Sequence, residues 1–197
     1  MYSLKLNLLL VIFLFTALLT INAQQDEEAY IRTLTERSQR IVNTLNIADT
    51  IAYHRVIDIL VNRYRSLGLI HDGSDSEDIK KMKLYDLHCE FIGKLGAELM
   101  PEQIDKIKDG MTSNALKVNY DAFCDMIPTL KPEEKRQIMA WFIEAREHAI
   151  SAGSSQKRLD WFIKYRGRCN NYLSSRGYDL QQERKDWEER RKAEQNR

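Results

Sequence analysis

Proline and glycine are scarce in this chain: three and eight residues of 197. No stretch is rich enough in either to serve as a flexible linker, and few positions can interrupt a helix. Charge of one sign is also missing. Thirty Lys and Arg face 29 Asp and Glu, a formal net charge of +1. That balance argues against a nucleic-acid binder, whose affinity needs many cations facing phosphate. Cysteine is limited to Cys89, Cys124 and Cys169. An odd number leaves at least one thiol unpaired, and no two are spaced as a redox CxxC pair or a zinc knuckle. Cys89 and Cys169 fall on apolar helical faces, so three buried thiols are expected, with one disulfide as the alternative.

Reaction motifs are missing too. There is no HExxH, no GxSxG and no phosphate-binding glycine loop. In "EAREH" the Glu–His spacings are four and one, whereas a helix-borne di-iron site needs Glu-x-x-His. "HDGSDSED" lacks the order of a calcium loop and reads as a turn with a helix cap. His54, His71 and His88 are scattered through the chain. No metal and no cofactor are expected.

One long hydrophobic run is present, from Leu6 to Ile21, preceded by Lys5 and closing on Asn22-Ala23. It is shorter than the ~20 residues a membrane-spanning helix wants, and it ends on a small residue suited to signal peptidase. Residues 1–23 are therefore expected to be a cleaved signal peptide. The mature chain would be periplasmic or secreted, without a transmembrane anchor, and its loss of Lys5 would bring the net charge from +1 to 0.

From residue 24 onward helical periodicity dominates and no strand pattern competes. The expected fold is all-α: a single domain of about six or seven antiparallel, bundle-like helices over 24–197, with a C-terminal helical hairpin. Helices are expected over about 26–45 and 49–67. A third is placed after a Ser74/Glu77 capping box, carrying Met82, Tyr85, Cys89, Ile92, Gly96 and Leu99 on its apolar face. Pro101 opens a short helix ending at Gly110. Residues 111–119 read as irregular, and "YDAFCDMI" as a short helical turn. Pro132 opens a long helix toward Ala152, Ser155 starts another toward Arg176, and about 181–197 reads as a charged, frayed helix.

The last long helix contains "WFIKYRGRCNNYL", and stepping 100° per residue separates two faces. Phe162, Tyr165, Cys169 and Tyr172 pack inward. Lys164, Arg168 and Asn171 form a flank edged by Trp161. On the preceding helix Ile138, Phe142, Ala145, Ala149 and Ala152 face the core, Glu144, His148 and Ser151 form a flank edged by Trp141, and Glu147 points away. A short connector makes the two helices antiparallel neighbours and puts both flanks on one side. The expected composite surface is Trp141, Glu144, His148, Trp161, Lys164, Arg168 and Asn171, with Glu144 level with Lys164 and Trp141 near Arg168.

Such a surface can be an exposed salt bridge edged by core tryptophans, worth ~0–1 kcal/mol. It can equally bind a polyhydroxylated or anionic ligand. Tryptophan offers a flat apolar face to a sugar ring, Asn, Glu and His reach its hydroxyls, and Lys or Arg takes a uronate carboxylate.

"KDGMT", "FCDMIPTL", "WFIEAREHAISAGSS" and "KYRGRCNNYLSSRGYDL" resemble, in order and spacing, an exported bacterial family known as domain of unknown function 3826. The likeness covers nearly all of the chain after residue 23 and is strongest from Lys108 to Leu180. It implies an origin in Bacteroidota, alongside systems that degrade plant polysaccharides, and a loose label of sugar-binding protein. The motif residues include Asp109, Gly110, Glu144, Arg146, His148, Gly153, Lys157, Lys164 and Arg168. Two departures stand out: Ser113-Asn114 where relatives tend to have Tyr-Gly, and Leu159-Asp160 where they tend to have a His before "WF".

Three functions stay open: a binding or accessory protein for an acidic or polyhydroxylated plant-type oligosaccharide, an enzyme (lyase or hydrolase) acting on such sugars, and a helical interaction module. Catalysis would fall to Glu144 or His148. A hydrolase wants two carboxylates ~5–10 Å apart, and only Glu144 is placed on the surface, so binding is preferred.

Overall fold

The computed structural model describes residues 24–195. The expected signal peptide lies outside them. Among the described residues all regular structure is helical: α1 (24–42), a 3-10 turn (Asn43–Leu45), α2 (Thr50–Asp72), α3 (Glu77–Gly96), α4 (Pro101–Met111), α5 (Ala115–Met126), α6 (Pro132–Ala149), α7 (Ser155–Ser175) and α8 (Leu180–Gln195). None is long and apolar enough to cross a membrane. The all-α expectation holds, with eight helices rather than six or seven.

The chain divides into two compact units between Tyr64 and Arg65, inside α2. In the first unit Val42, Val56 and Leu60 are fully buried. The Arg37 guanidinium lies 4.2 Å from the Tyr64 ring centroid, and the Tyr53 hydroxyl donates to Asn43 at 2.8 Å. Asp49 starts α2 by accepting from the backbone N–H of Ile51 at 2.8 Å, which satisfies an otherwise orphaned donor.

In the second unit α6 is the central helix, packed along α7 and against α5 and α4. Phe142 of α6 sits at the centre of the core, 5.8 Å from Phe123 and 6.5 Å from Phe162 between ring centroids. Ile127, Ile138, Ala145, Cys169 and Leu173 are fully buried around it. Each large side chain so buried contributes about 1.5–3 kcal/mol. This is the inward face expected from the periodicity of the two helices.

Helix ends depart from expectation where side chains compete for the cap. Ser76, not Ser74, caps α3, accepting from the Ile79 N–H. Glu77 and Asp78 then occupy the first turn, where carboxylates suit the helix dipole. The stretch 111–119 is mostly helical rather than irregular, because only Ser113 and Asn114 break it, with φ of 55° and 57°. Asn tolerates that left-handed conformation better than most residues, and the Asn114 N–H closes the turn on the Asp109 carbonyl at 2.8 Å. The middle of α8 is tied to the end of α5. Trp187 donates to the Asp125 carboxylate at 2.5 Å, and Arg190 donates to the backbone carbonyls of Asp125 and Met126 at the end of α5.

The apolar face expected for α3 is wrong in its N-terminal half. Met82 and Tyr85 are 67% and 69% exposed and Cys89 is exposed, whereas Phe91 and Leu95 are buried. Within its unit α3 packs on α4, and its buried residues, Phe91 and Leu95, lie in its last two turns. All three cysteines are free; Cys169 is buried, Cys124 half-buried, and Cys89 is not the buried thiol expected.

Candidate functional site

Two helix caps set the α6–α7 corner. The Ser154 hydroxyl accepts from the Lys157 N–H at 3.1 Å, starting α7, and α6 stops at Ala149. Between them Gly153 lies against the His71 ring so closely that a Cβ there would sit 2.6 Å from Cγ. His71 Nε2 is 2.9 Å from the Ser151 carbonyl oxygen. A carbonyl only accepts, so Nε2 carries the proton. Lys80 also donates to the His71 carbonyl at 3.1 Å, tying the start of α3 to the same corner.

This corner closes one end of a cleft of about 670 Å³ between α3 and the α6–α7 pair. α3 contributes Lys81, Leu84, Tyr85 and His88. α6 and the connector contribute Glu147, His148, Ser151, Ala152 and Gly153, and α7 contributes Lys157, Asp160, Trp161 and Lys164, with His71 at the corner. His148 stacks on Trp161 at 4.3 Å between centroids and 15° between planes. Lys164 Nζ lies 4.9 Å from the Trp161 centroid.

The expected composite surface therefore divides. Its His148, Trp161 and Lys164 part lines the cleft. Its Trp141, Glu144 and Arg168 part is closed on itself: Arg168 lies 4.7 Å over the Trp141 ring and donates to Glu144 at 3.2 Å, and Tyr172 meets the Trp141 edge-on at 5.2 Å. Trp141 near Arg168 is as expected. Glu144 pairs with Arg168 rather than with Lys164. Side chains lean toward the N-terminus of their own helix, so in this antiparallel pair those of α6 lean away from the connector and those of α7 toward it. Glu144 thus meets Arg168, one turn farther along, and Lys164 folds back onto Trp161. Asn171 is exposed, and its side chain makes no hydrogen bond among the described residues.

Beneath Glu144 the Tyr165 hydroxyl is pushed up to about 12, by burial first and then by the neighbouring Glu144 carboxylate. Glu147 does not point away as expected. It accepts from Lys108 at 2.9 Å and lies 3.8 Å from His88 and 3.6 Å from Arg146. Arg146 is buried and donates to Asp109 at 2.7 Å and Asp105 at 2.5 Å, both on α4. Burial alone would lower the guanidinium pKa, but those two carboxylates raise it. The network holds Glu147 at the cleft as a fixed acceptor.

His71, His88 and His148, scattered in sequence, line this one cleft. No group of three His, Cys, Asp or Glu among the described residues could hold a metal ion. Sequence reasoning missed the whole α3 wall, because which face of α3 opposes α7 is a tertiary fact. Lys157 was legible: it stands four residues before Trp161 and seven before Lys164, on one face of α7. Of the two departures from the family pattern, Asp160 lines the cleft, whereas Ser113 and Asn114 form the α4–α5 turn.

Fold and site together define an all-α protein with a preformed cleft, walled on one side by a stacked indole–imidazole pair and edged with lysines. The chain belongs to the family described as protein of unknown function (DUF3826), whose model matches residues 74–193. That span contains α3 to α7, most of α8 and every cleft residue except His71. No curated protein matches the sequence.

Proposed function

We infer that the protein is an exported binding or accessory protein of polysaccharide utilisation, of the kind expected in Bacteroidota, and that it holds a saccharide in the α3/α6–α7 cleft. The observation that carries this is the Trp161–His148 stack on the wall of a cleft of about 670 Å³. Ligand sites of 300–1,000 Å³ combine apolar and aromatic walls with a few placed polar groups. Here Trp161, Tyr85 and Leu84 supply apolar surface, and Glu147, Ser151 and the lysines supply hydrogen bonds. Export rests on the leader-like residues 1–23.

An enzyme acting on such sugars is the second reading. It is favoured by His148 facing the same cleft as two carboxylates, Glu147 and Asp160. Glu144 is not in that lining and pairs with Arg168.

Calorimetry of the protein lacking residues 1–23 against a broad panel of plant oligosaccharides distinguishes these. Binding without turnover, lost in a folded Trp161→Ala variant, supports the binding protein. Turnover abolished by His148→Gln replaces it with an enzyme. No binding and no turnover across the panel leaves the helical interaction module.

A further inference from the structure

Lys157, Trp161 and Lys164 follow one another on α7 at intervals of four and three, so two ammonium groups flank the indole on a single helical face. Neither lysine forms an ion pair among the described residues. Three cations near this corner are committed: Lys108 to Glu147, Arg146 to Asp105 and Asp109, and Arg168 to Glu144. On the opposite wall, Lys81 is held by Asp78 at 3.1 Å.

Neither carboxylate of the cleft pairs with these two lysines. Glu147 takes Lys108, and Asp160 accepts from Gln156 at 2.8 Å. The cleft thus holds two cations without an ion-pair partner among the described residues, beside its aromatic slab. Across from them Tyr85 projects from α3, 69% exposed, with Leu84 beside it.

We propose that the cleft selects an acidic saccharide over a neutral one: a uronate ring lies between the Trp161–His148 slab and Tyr85, and its carboxylate is taken by Lys157 and Lys164. This rests on the saccharide reading above and narrows it to a charge class with named residues. The ligand carboxylate supplies the partner that the two lysines lack, as a charge-assisted hydrogen bond stronger than a neutral one. Because both ammonium groups are near water, added salt screens the attraction within a Debye length of ~8–10 Å.

The test is calorimetry with α-1,4-linked oligogalacturonate and a glucuronate-bearing oligosaccharide, each beside its methyl ester, at low and high salt, on the wild type and Lys157→Gln/Lys164→Gln. The acid is expected to bind at least about tenfold more tightly than its ester. The preference should shrink with salt and vanish in the double variant, whose helicity by circular dichroism should be unchanged. Tyr85→Ala should weaken acid and ester alike. Equal, salt-insensitive binding of acid and ester overturns the charge assignment and leaves the saccharide reading intact. Undiminished acid preference in the double variant overturns the choice of lysines. Binding of no saccharide, acidic or neutral, overturns both.

Discussion

A methyl group on Gly153 would lie 2.6 Å from His71 Cγ and 2.9 Å from two further ring atoms. The ring cannot withdraw freely, since Nε2 is tied to the Ser151 carbonyl at 2.9 Å. Gly153→Ala is therefore expected to cost about 1–3 kcal/mol, the usual range for overpacking. Urea denaturation would read this as a lower midpoint at unchanged slope. His71→Ala in the same chain should return much of the loss, and a loss that persists would mean the corner is not what the methyl disturbs. The thiols differ at the same scale. Cys89 is exposed, whereas burial pushes Cys169 up to about 12. At pH 8 a thiol reagent should label Cys89 in the native protein and reach Cys169 only on unfolding. Rapid native labelling of Cys169 would contradict its burial.

The start of α6 and the α7–α8 connector meet at one buried carboxylate. Glu134 caps its own helix by accepting from the Lys131 N–H at 2.9 Å, and it accepts from the Tyr178 hydroxyl at 2.6 Å. Burial pushes Glu134 up, but the Tyr178 hydroxyl, the Lys131 backbone and the nearby Lys131 and Arg176 charges bring it below the usual carboxylate range. Tyr178 is raised to about 12, by that same hydrogen bond first and by burial second. The signs are opposite. The Glu134 contribution is complete above the unfolded carboxylate value and is lost as pH falls through the lower folded one. The Tyr178 contribution is complete below the unfolded phenol value of ~10 and fades as pH rises toward about 12. Tyr178→Phe should cost about 1–3 kcal/mol near neutral pH and flatten stability at both extremes. Denaturation midpoints across pH would show it, and an unchanged alkaline limb would remove Tyr178 from the account.

Across the larger unit, Arg146 joins α6 to α4 by two carboxylates and stands beside Glu147, which reaches Lys108 and His88. A buried guanidinium that loses a partner is left with desolvation and less compensation. Asp109→Ala, with Asp105 still in place, is expected to lower stability by about 1–3 kcal/mol. Since Glu147 borders the cleft, a ligand bound there should protect Asp109→Ala less than the wild type against heat, by linkage. Equal thermal shifts for both proteins would show that the network is not coupled to the cleft.

The sequence alone determined the helical class, most helix starts and the inward faces of α6 and α7, because these follow from 3.6-residue periodicity and from Pro, Ser and Gly at helix ends. The pairing of Trp141 with Arg168 and the placement of Trp161, Lys164 and His148 on one flank followed from the same geometry. The register of that flank did not, since the opposite lean of side chains on antiparallel helices moves each partner by about a turn. Nor did the α3 wall. Met82, Tyr85 and Cys89 have helical spacing whether or not anything covers them, and only tertiary packing left that half of α3 open. The tertiary structure alone brought His71, His88 and Glu147 to the stacked Trp161 and His148, since no local pattern records which faces meet across a cleft.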